Sequence, residues 1–205
     1  MLVSAIMPTR GRPQYAIEAV ECFLSQAWYE KELVVVDDED DPSFKDNTLG
    51  EYLRGRAVYD YTRLINRRTI GAKRNLACSR ANGDVIVHFD SDDVCAPGRI
   101  VDQLSRLTRD INVTGYSSMK FLDVATGEWW KYNGHSRYAL GTSLMYWRAY
   151  WNTHRFPDSN KEDAEMCHRA RNTTDAGEMM WARTHADNTS ARKGMGKMSE
   201  WVKVA

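Results

Sequence analysis

Three short apolar runs, each stopping abruptly at polar residues able to bind ligands, constrain this 205-residue chain more than any other feature. They are 2–7 (LVSAIM), 33–36 (LVVV) and 84–89 (DVIVHF), and they empty into Pro8-Thr9-Arg10, Asp37-Asp38 and Asp90-Ser91-Asp92-Asp93. Brief continuous apolar runs suit strands buried on both faces. Helical stretches separate them. Pro13 is suited to a first helical position. From Ala16, apolar residues recur at Ile17, Val20, Phe23, Leu24, Ala27 and Trp28, the spacing of one buried helix face. Gly71 leads into AKRNLACSRANG, a helix expected to close with Gly83 at its C′ position. Another helix opens at Pro97, with Ile100, Leu104 and Leu107 on one side. One weak helix is expected within the polar stretch 42–57, and a third strand around Tyr61 to Ile65.

This order predicts an α/β chain built on a mostly parallel sheet. Ligands of such sheets sit at the carboxyl ends of the strands, so the three polar clusters should converge on one edge. The second half differs. Residues 113–147 are rich in Tyr, Trp, Thr and Gly, with a hairpin expected across Thr126-Gly127, and Asp158 to Arg171 reads as a loop entering an amphipathic helix. No linker divides the chain. One domain is expected over 1–191, with a ligand-binding half at 1–111 and a second half at 112–191, followed by a polar tail at 192–205.

Lysine plus arginine equals aspartate plus glutamate, 28 each, so no global field draws the chain to nucleic acid or an anionic membrane. No apolar stretch approaches the ~20 residues that span a bilayer, and the first residues lack a signal-peptide layout. A cytoplasmic location is expected. Cys22, Cys78, Cys95 and Cys167 form no CxxC pair, so they read as small buried thiols rather than a zinc site or disulfide framework. His88, inside a strand, reads as a packed core residue.

The acidic run carries the chemistry. Asp90, Asp92 and Asp93 repel one another unless a cation or hydrogen-bond donors offset them. Hard oxygen ligands of this kind suit Mg²⁺ or Mn²⁺ shared with substrate phosphates; the alternative is a cap for the helix near Pro97. Trp129, Trp130, Tyr132, Trp147 and Trp151 are either an aromatic acceptor platform or ordinary packing.

Taken in order, Val3-Ser4-Ala5-Ile6-Met7-Pro8-Thr9, Val35-Val36-Asp37-Asp38, Gly71-Ala72-Lys73-Arg74-Asn75-Leu76-Ala77 and Ala81-Asn82-Gly83-Asp84 through Asp90-Ser91-Asp92-Asp93 make a recognisable series. Gly141-Thr142-Ser143, Phe156-Pro157-Asp158 and Glu162-Asp163 extend it. The series resembles glycosyltransferase family 2, the inverting enzymes with a GT-A fold, from residue 3 to about residue 171. The resemblance implies a single GT-A-type domain, a Rossmann-like sheet flanked by helices with a smaller acceptor-side β-hairpin region. It also implies a nucleotide-sugar donor, in all expectation a UDP-sugar, and Mn²⁺ or Mg²⁺ as cofactor.

Residue by residue, it implies Asp92 as metal ligand, with Asp90 on the ribose or on the metal through water, and His185 completing the metal site. Pro8, Thr9, Arg10, Asp37, Asp38 and Ser91 would line the donor site, with Lys73 and Arg74 near the diphosphate. Asp163 would be the general base, with Glu162 as substitute. Glu39-Asp40-Asp41 depart from the family's glycine-serine after the second strand. Short length and no carboxy-terminal membrane helix argue for a soluble acceptor: a protein, an oligosaccharide, a small molecule or a hydroxylated nucleic-acid base. The competing readings are a non-catalytic nucleotide-sugar or glycan-binding module and a nucleotidyltransferase, the latter weakened because Gly11 is alone in the first loop.

Overall fold

The computed structural model describes residues 1–38, 48–186, 188 and 198–204. Its first half alternates as expected: β1 Val3–Thr9, α1 Pro13–Leu24, β2 Lys31–Asp37, α2 Thr48–Leu53, β3 Tyr59–Arg63, α3 Ile70–Arg80 and β4 Val85–His88. β5 Asp93–Cys95 and α4 Arg99–Leu104 follow, then β6 Val113–Thr114, β7 Tyr116–Asp123, β8 Glu128–Asn133 and a 3-10 turn at Gly141–Ser143. The chain continues through β9 Met145–Trp147, α5 Arg148–Thr153, α6 Ala164–Arg169, β10 Thr174–Asp175, β11 Met180–Thr184 and β12 Trp201–Val204.

The main sheet runs in the order β3-β2-β1-β4-β9-β6. β3, β2, β1 and β4 are parallel, and β9 pairs antiparallel with both β4 and β6. Period-two alternation divides its side chains between two cores. Val3, Ala5, Met7, Leu33, Val35, Val85 and Val87 face one, with Ala16, Ala19, Val20 and Phe23 of α1. Ile6, Val34, Val36 and Ile86 face the other, with Ala77 and Cys78 of α3 and Trp151. Burial on both faces stabilises the sheet by about 1.5–3 kcal/mol for each full-sized apolar side chain. It also forces the strands to end where charge begins. The three polar clusters therefore do lie at neighbouring carboxyl ends.

A second sheet, β12-β8-β7-β11-β5 with β10 on β7, contains the β7–β8 hairpin. Gly127, at φ 69°, makes its turn. β5 opens at Asp93, so the acidic run joins the two sheets. No helix among the described residues is long and apolar enough to cross a membrane.

Three expectations change. Gly83 does not close α3, whose cap is Ala81 in extended backbone. A Cβ on Gly83 would stand 2.6 Å from Ser4 Oγ and 2.7 Å from the Leu2 carbonyl oxygen, so glycine is needed there for close approach to β1. α1 stops at Leu24, before Ala27 and Trp28, and the Ala27 amide instead donates to the Pro97 carbonyl at 2.9 Å. The polar tail does not extend through Trp201–Val204, which pair antiparallel with β8. Glu39-Asp40-Asp41 lie outside the described residues.

Candidate active site

Charges at the ends of β1 and β2 are settled by α3. Lys73 Nζ donates to Asp38 Oδ1 at 2.7 Å and to the Thr9 carbonyl at 3.1 Å, and the Arg68 amide donates to Asp38 Oδ2 at 2.7 Å. Asp38 is fully buried and both its oxygens are engaged. Burial lowers the Lys73 pKa, and the Asp38 carboxylate opposes that shift. The pair thus ties two strand ends to a helix. Asp37 is half-buried and accepts from Tyr61 at 2.9 Å, which makes it the more accessible of the two aspartates. Pro8 and Thr9 are buried, and Arg10 is half-buried.

The next residue of α3, Arg74, gathers three carboxylates. It donates to Glu162 Oε1 at 2.6 Å and to the two Asp90 oxygens at 3.2 and 3.3 Å, and it lies 3.8 Å from Asp163 Oδ2. Burial works against the Arg74 charge, but Asp90, Glu162 and Asp163 together raise its pKa. Burial raises the Glu162 pKa, Arg74 pulls it down, and Asp163 adds to the rise. Glu162 is shut in at 3% side-chain exposure, whereas Asp163 is 32% exposed. Of the Glu162-Asp163 pair, Asp163 is the one that reaches both the cluster and solvent.

Asp163 also leans on the turn at Gly141–Ser143. A Cβ on Gly141 would overlap the Asp163 carboxylate, so the aspartate occupies the space that glycine leaves. Three buried side chains hold that turn by its successive carbonyls. His88 Nδ1 bonds the Gly141 oxygen at 2.7 Å, Arg99 Nη2 that of Thr142 at 3.3 Å, and Gln103 Nε2 that of Ser143 at 2.6 Å. Asp93, also buried, accepts from the Thr142 hydroxyl. It fastens the acidic run to the second half of the chain.

A carbonyl only accepts, so His88 carries its proton on Nδ1, and Nε2 accepts from Tyr146 Oη at 3.1 Å. Burial, then Arg74, then Arg99 hold the His88 pKa well below 6.5, while the bond to Gly141 opposes them. Because the folded-state pKa is depressed, His88 is neutral in the fold and protonates only in the unfolded chain as pH falls through 6.5. Stability is then lost on acidification. Between pH 7.5 and 5.5 the wild type should lose about 1.4 kcal/mol more than His88→Gln in urea melts. Equal pH dependence of the two proteins would contradict this account.

The second cluster forms around Asp92. Its Oδ2 accepts from Arg12 Nη1 at 2.6 Å and Asn188 Nδ2 at 2.9 Å, and His185 Nε2 lies 3.1 Å away. Arg183 donates to the Asp92 carbonyl at 3.3 Å and pairs with Glu18. Strand register brings these groups together. β5 and β11 pair Asp93 with Ala182, so the residues that follow, Arg183 and His185, arrive beside Asp92. Ser91 is buried, 3.4 Å from Arg12 Nη2.

Cis ligands on a six-coordinate Mg²⁺-sized ion, each about 2.1 Å from it, stand about 3.0 Å apart. The 3.1 Å between Asp92 Oδ2 and His185 Nε2 fits that spacing. Among the described residues no three His, Cys, Asp or Glu side chains are grouped to hold an ion by themselves. An ion held by these two side chains would need a phosphate-bearing partner to complete its shell.

Sequence reasoning did not single out Arg12, Asn188 or Arg183 for this site, and it named Gly141 only as part of the resembling series. The basic first turn, Thr-Arg-Gly-Arg, was the one available signal for Arg12. The tryptophans are mostly packed: Trp129 stands edge-on to Trp181, and Trp151 is buried with its indole on Asn75.

The family model described as Glycosyl transferase family 2 matches residues 4–185. Polypeptide N-acetylgalactosaminyltransferase 15 of Mus musculus is 32% identical over 124 residues, 50% of this chain and 18% of that protein. S. aureus TarS 1–349, solved in complex with UDP-GlcNAc, superposes with a TM-score of 0.73 at 18% identity, covering 92% of this chain and 60% of that one. The mannosyltransferase PcManGT from Pyrobaculum calidifontis, solved with GDP-Man and Mn²⁺, gives a TM-score of 0.66 at 15% identity, covering 94% and 58%. At such identities the structural likeness is one of fold, the GT-A arrangement. The chain spans between 18% and 49% of the length of the curated relatives it matches.

Proposed function

This chain belongs to glycosyl transferase family 2, and from that membership we propose that it moves a sugar from a UDP-sugar to a hydroxyl acceptor with inversion, Asp163 acting as general base. The observation that carries the reading is the meeting of Asp92 and His185, 93 residues apart in sequence, at the end of the strand beside the Arg74 cluster. Thr9, Arg10 and Asp37 border the nucleoside, with Asp38 and Lys73 bracing the pocket from within. Asp90, turned by Arg74, faces the donor ribose. Asp92 and His185 would hold Mn²⁺ or Mg²⁺, which when bound would offset the charge of the leaving diphosphate. The nucleotide sugars held by TarS and PcManGT, and the Mn²⁺ held by the latter, support this assignment.

In the transfer, Asp163 accepts the acceptor hydroxyl's proton as that oxygen bonds to the anomeric carbon and UDP departs from the opposite face. Arg74 and Gly141 keep the Asp163 carboxylate in place, and Glu162, buried on Arg74, takes no proton from substrate. The acceptor is a protein, oligosaccharide, small molecule or hydroxylated base.

Calorimetry with UDP, with and without Mn²⁺, tests the donor side. Mn²⁺ should tighten UDP binding to wild type by about tenfold or more, and Asp92→Ala should remove that gain. A gain that survives the substitution would sink the assignment of Asp92.

A further inference from the structure

Arg12 stands where a cation would stand. Its Nη1 is 2.6 Å from Asp92 Oδ2 and 3.5 Å from His185 Nε2, at the fork formed by the two proposed metal ligands, which it shares with the neutral Asn188 amide at 2.9 and 3.2 Å from the same two atoms. The guanidinium is nearly buried, at 13% side-chain exposure. It is also incompletely satisfied: Nε is buried and has no hydrogen-bond partner among the described residues, and Nη2 has only the long contact to Ser91. A guanidinium has five donors and binds phosphate oxygens in bidentate fashion. Arg12 therefore has one strong partner here and unused capacity for an anionic one.

We infer that Arg12 is an internal counter-ion that occupies the divalent-cation position of the donor-free protein and leaves it when a nucleotide diphosphate offers its oxygens. The inference rests on the reading of Asp92 and His185 as the metal ligands. Two cations cannot share one carboxylate oxygen and one imidazole nitrogen at this spacing without strong repulsion. Binding of the metal without nucleotide must displace Arg12 from its carboxylate partner with no phosphate to replace it. Binding with nucleotide moves Arg12 from carboxylate to phosphate, so metal and donor become mutually dependent ligands. Asp92 is meanwhile never left as a buried, uncompensated charge.

The test is Mn²⁺ binding to the nucleotide-free protein, followed by the electron paramagnetic resonance signal of free Mn²⁺. If Arg12 leaves the site open in a tenth of molecules, its removal raises apparent affinity about tenfold. Arg12→Gln and Arg12→Ala, each checked for folding by thermal melt, should both show that gain. Arg183→Gln removes the same charge from the same neighbourhood but not from between the two ligands, and its gain should stay within about threefold. Asp92→Asn in the Arg12→Gln background should abolish the gain. Unchanged or weaker Mn²⁺ binding in both Arg12 variants overturns the inference, as does an equal gain from Arg183→Gln. If Mn²⁺ also fails to tighten UDP binding to wild type, the metal reading falls with it; if it still tightens UDP binding, only the role of Arg12 falls.

Discussion

Asp163→Asn is expected to lower the rate of sugar transfer by about 10²–10⁴-fold while leaving UDP affinity within about twofold of wild type. The argument is positional. Asp163 is the member of the Glu162-Asp163 pair that reaches solvent, while Glu162 is shut behind Arg74. Amide replacement keeps the shape that Gly141 accommodates and removes the carboxylate's charge, and with it the ability to accept a proton. A nucleophile that needs no deprotonation separates a base from a structural prop. With azide in place of the hydroxyl acceptor, UDP release by Asp163→Asn should match that of wild type under the same conditions. A variant that transfers to hydroxyl acceptors at the wild-type rate, or that azide does not rescue, would remove Asp163 from the role. Glu162→Gln should cost less turnover than Asp163→Asn in the same assay.

Arg74→Met should destabilise the fold by about 3–5 kcal/mol, a fall in melting temperature on the order of 10 °C for a domain of this size. Methionine fills much of the same volume, so the loss measures charge rather than a cavity. Without the guanidinium, Glu162 is buried with no counter-ion, and Asp90 and Asp163 repel each other and it across the emptied space. The diagnostic measurement is the second substitution. Glu162→Gln in the Arg74→Met background removes the stranded charge and should recover a large part of the loss in urea melts at pH 7. A double variant no more stable than Arg74→Met would mean that the arginine acts through packing instead.

The strand ends were legible because burial and charge exclude one another. A run such as Val85-Ile86-Val87-His88 is buried throughout, and the next residues begin the acidic turn. β12 was not legible. Trp201-Val202-Lys203-Val204 is short, with its two central residues exposed and its two ends half-buried, and it is a strand through its pairing with β8. Gly83 was read as a helix cap from local grammar, whereas its requirement comes from β1, some eighty residues earlier in the chain.

The acidic run shows where local information ends. Sequence alone determined that Asp90, Asp92 and Asp93 stand together after a buried strand, and that something must offset them. Tertiary structure divided their labour: Asp90 with Arg74, Asp92 with Arg12, Asn188 and His185, Asp93 buried beneath Thr142. Electrostatic partners act over a few ångströms of space regardless of chain separation, and these come from α3, the turn before α1, the segment after β11 and the turn at Gly141–Ser143. Local pattern places a carboxylate at an edge; only the folded neighbours decide whether it faces a cation, a guanidinium or a hydroxyl.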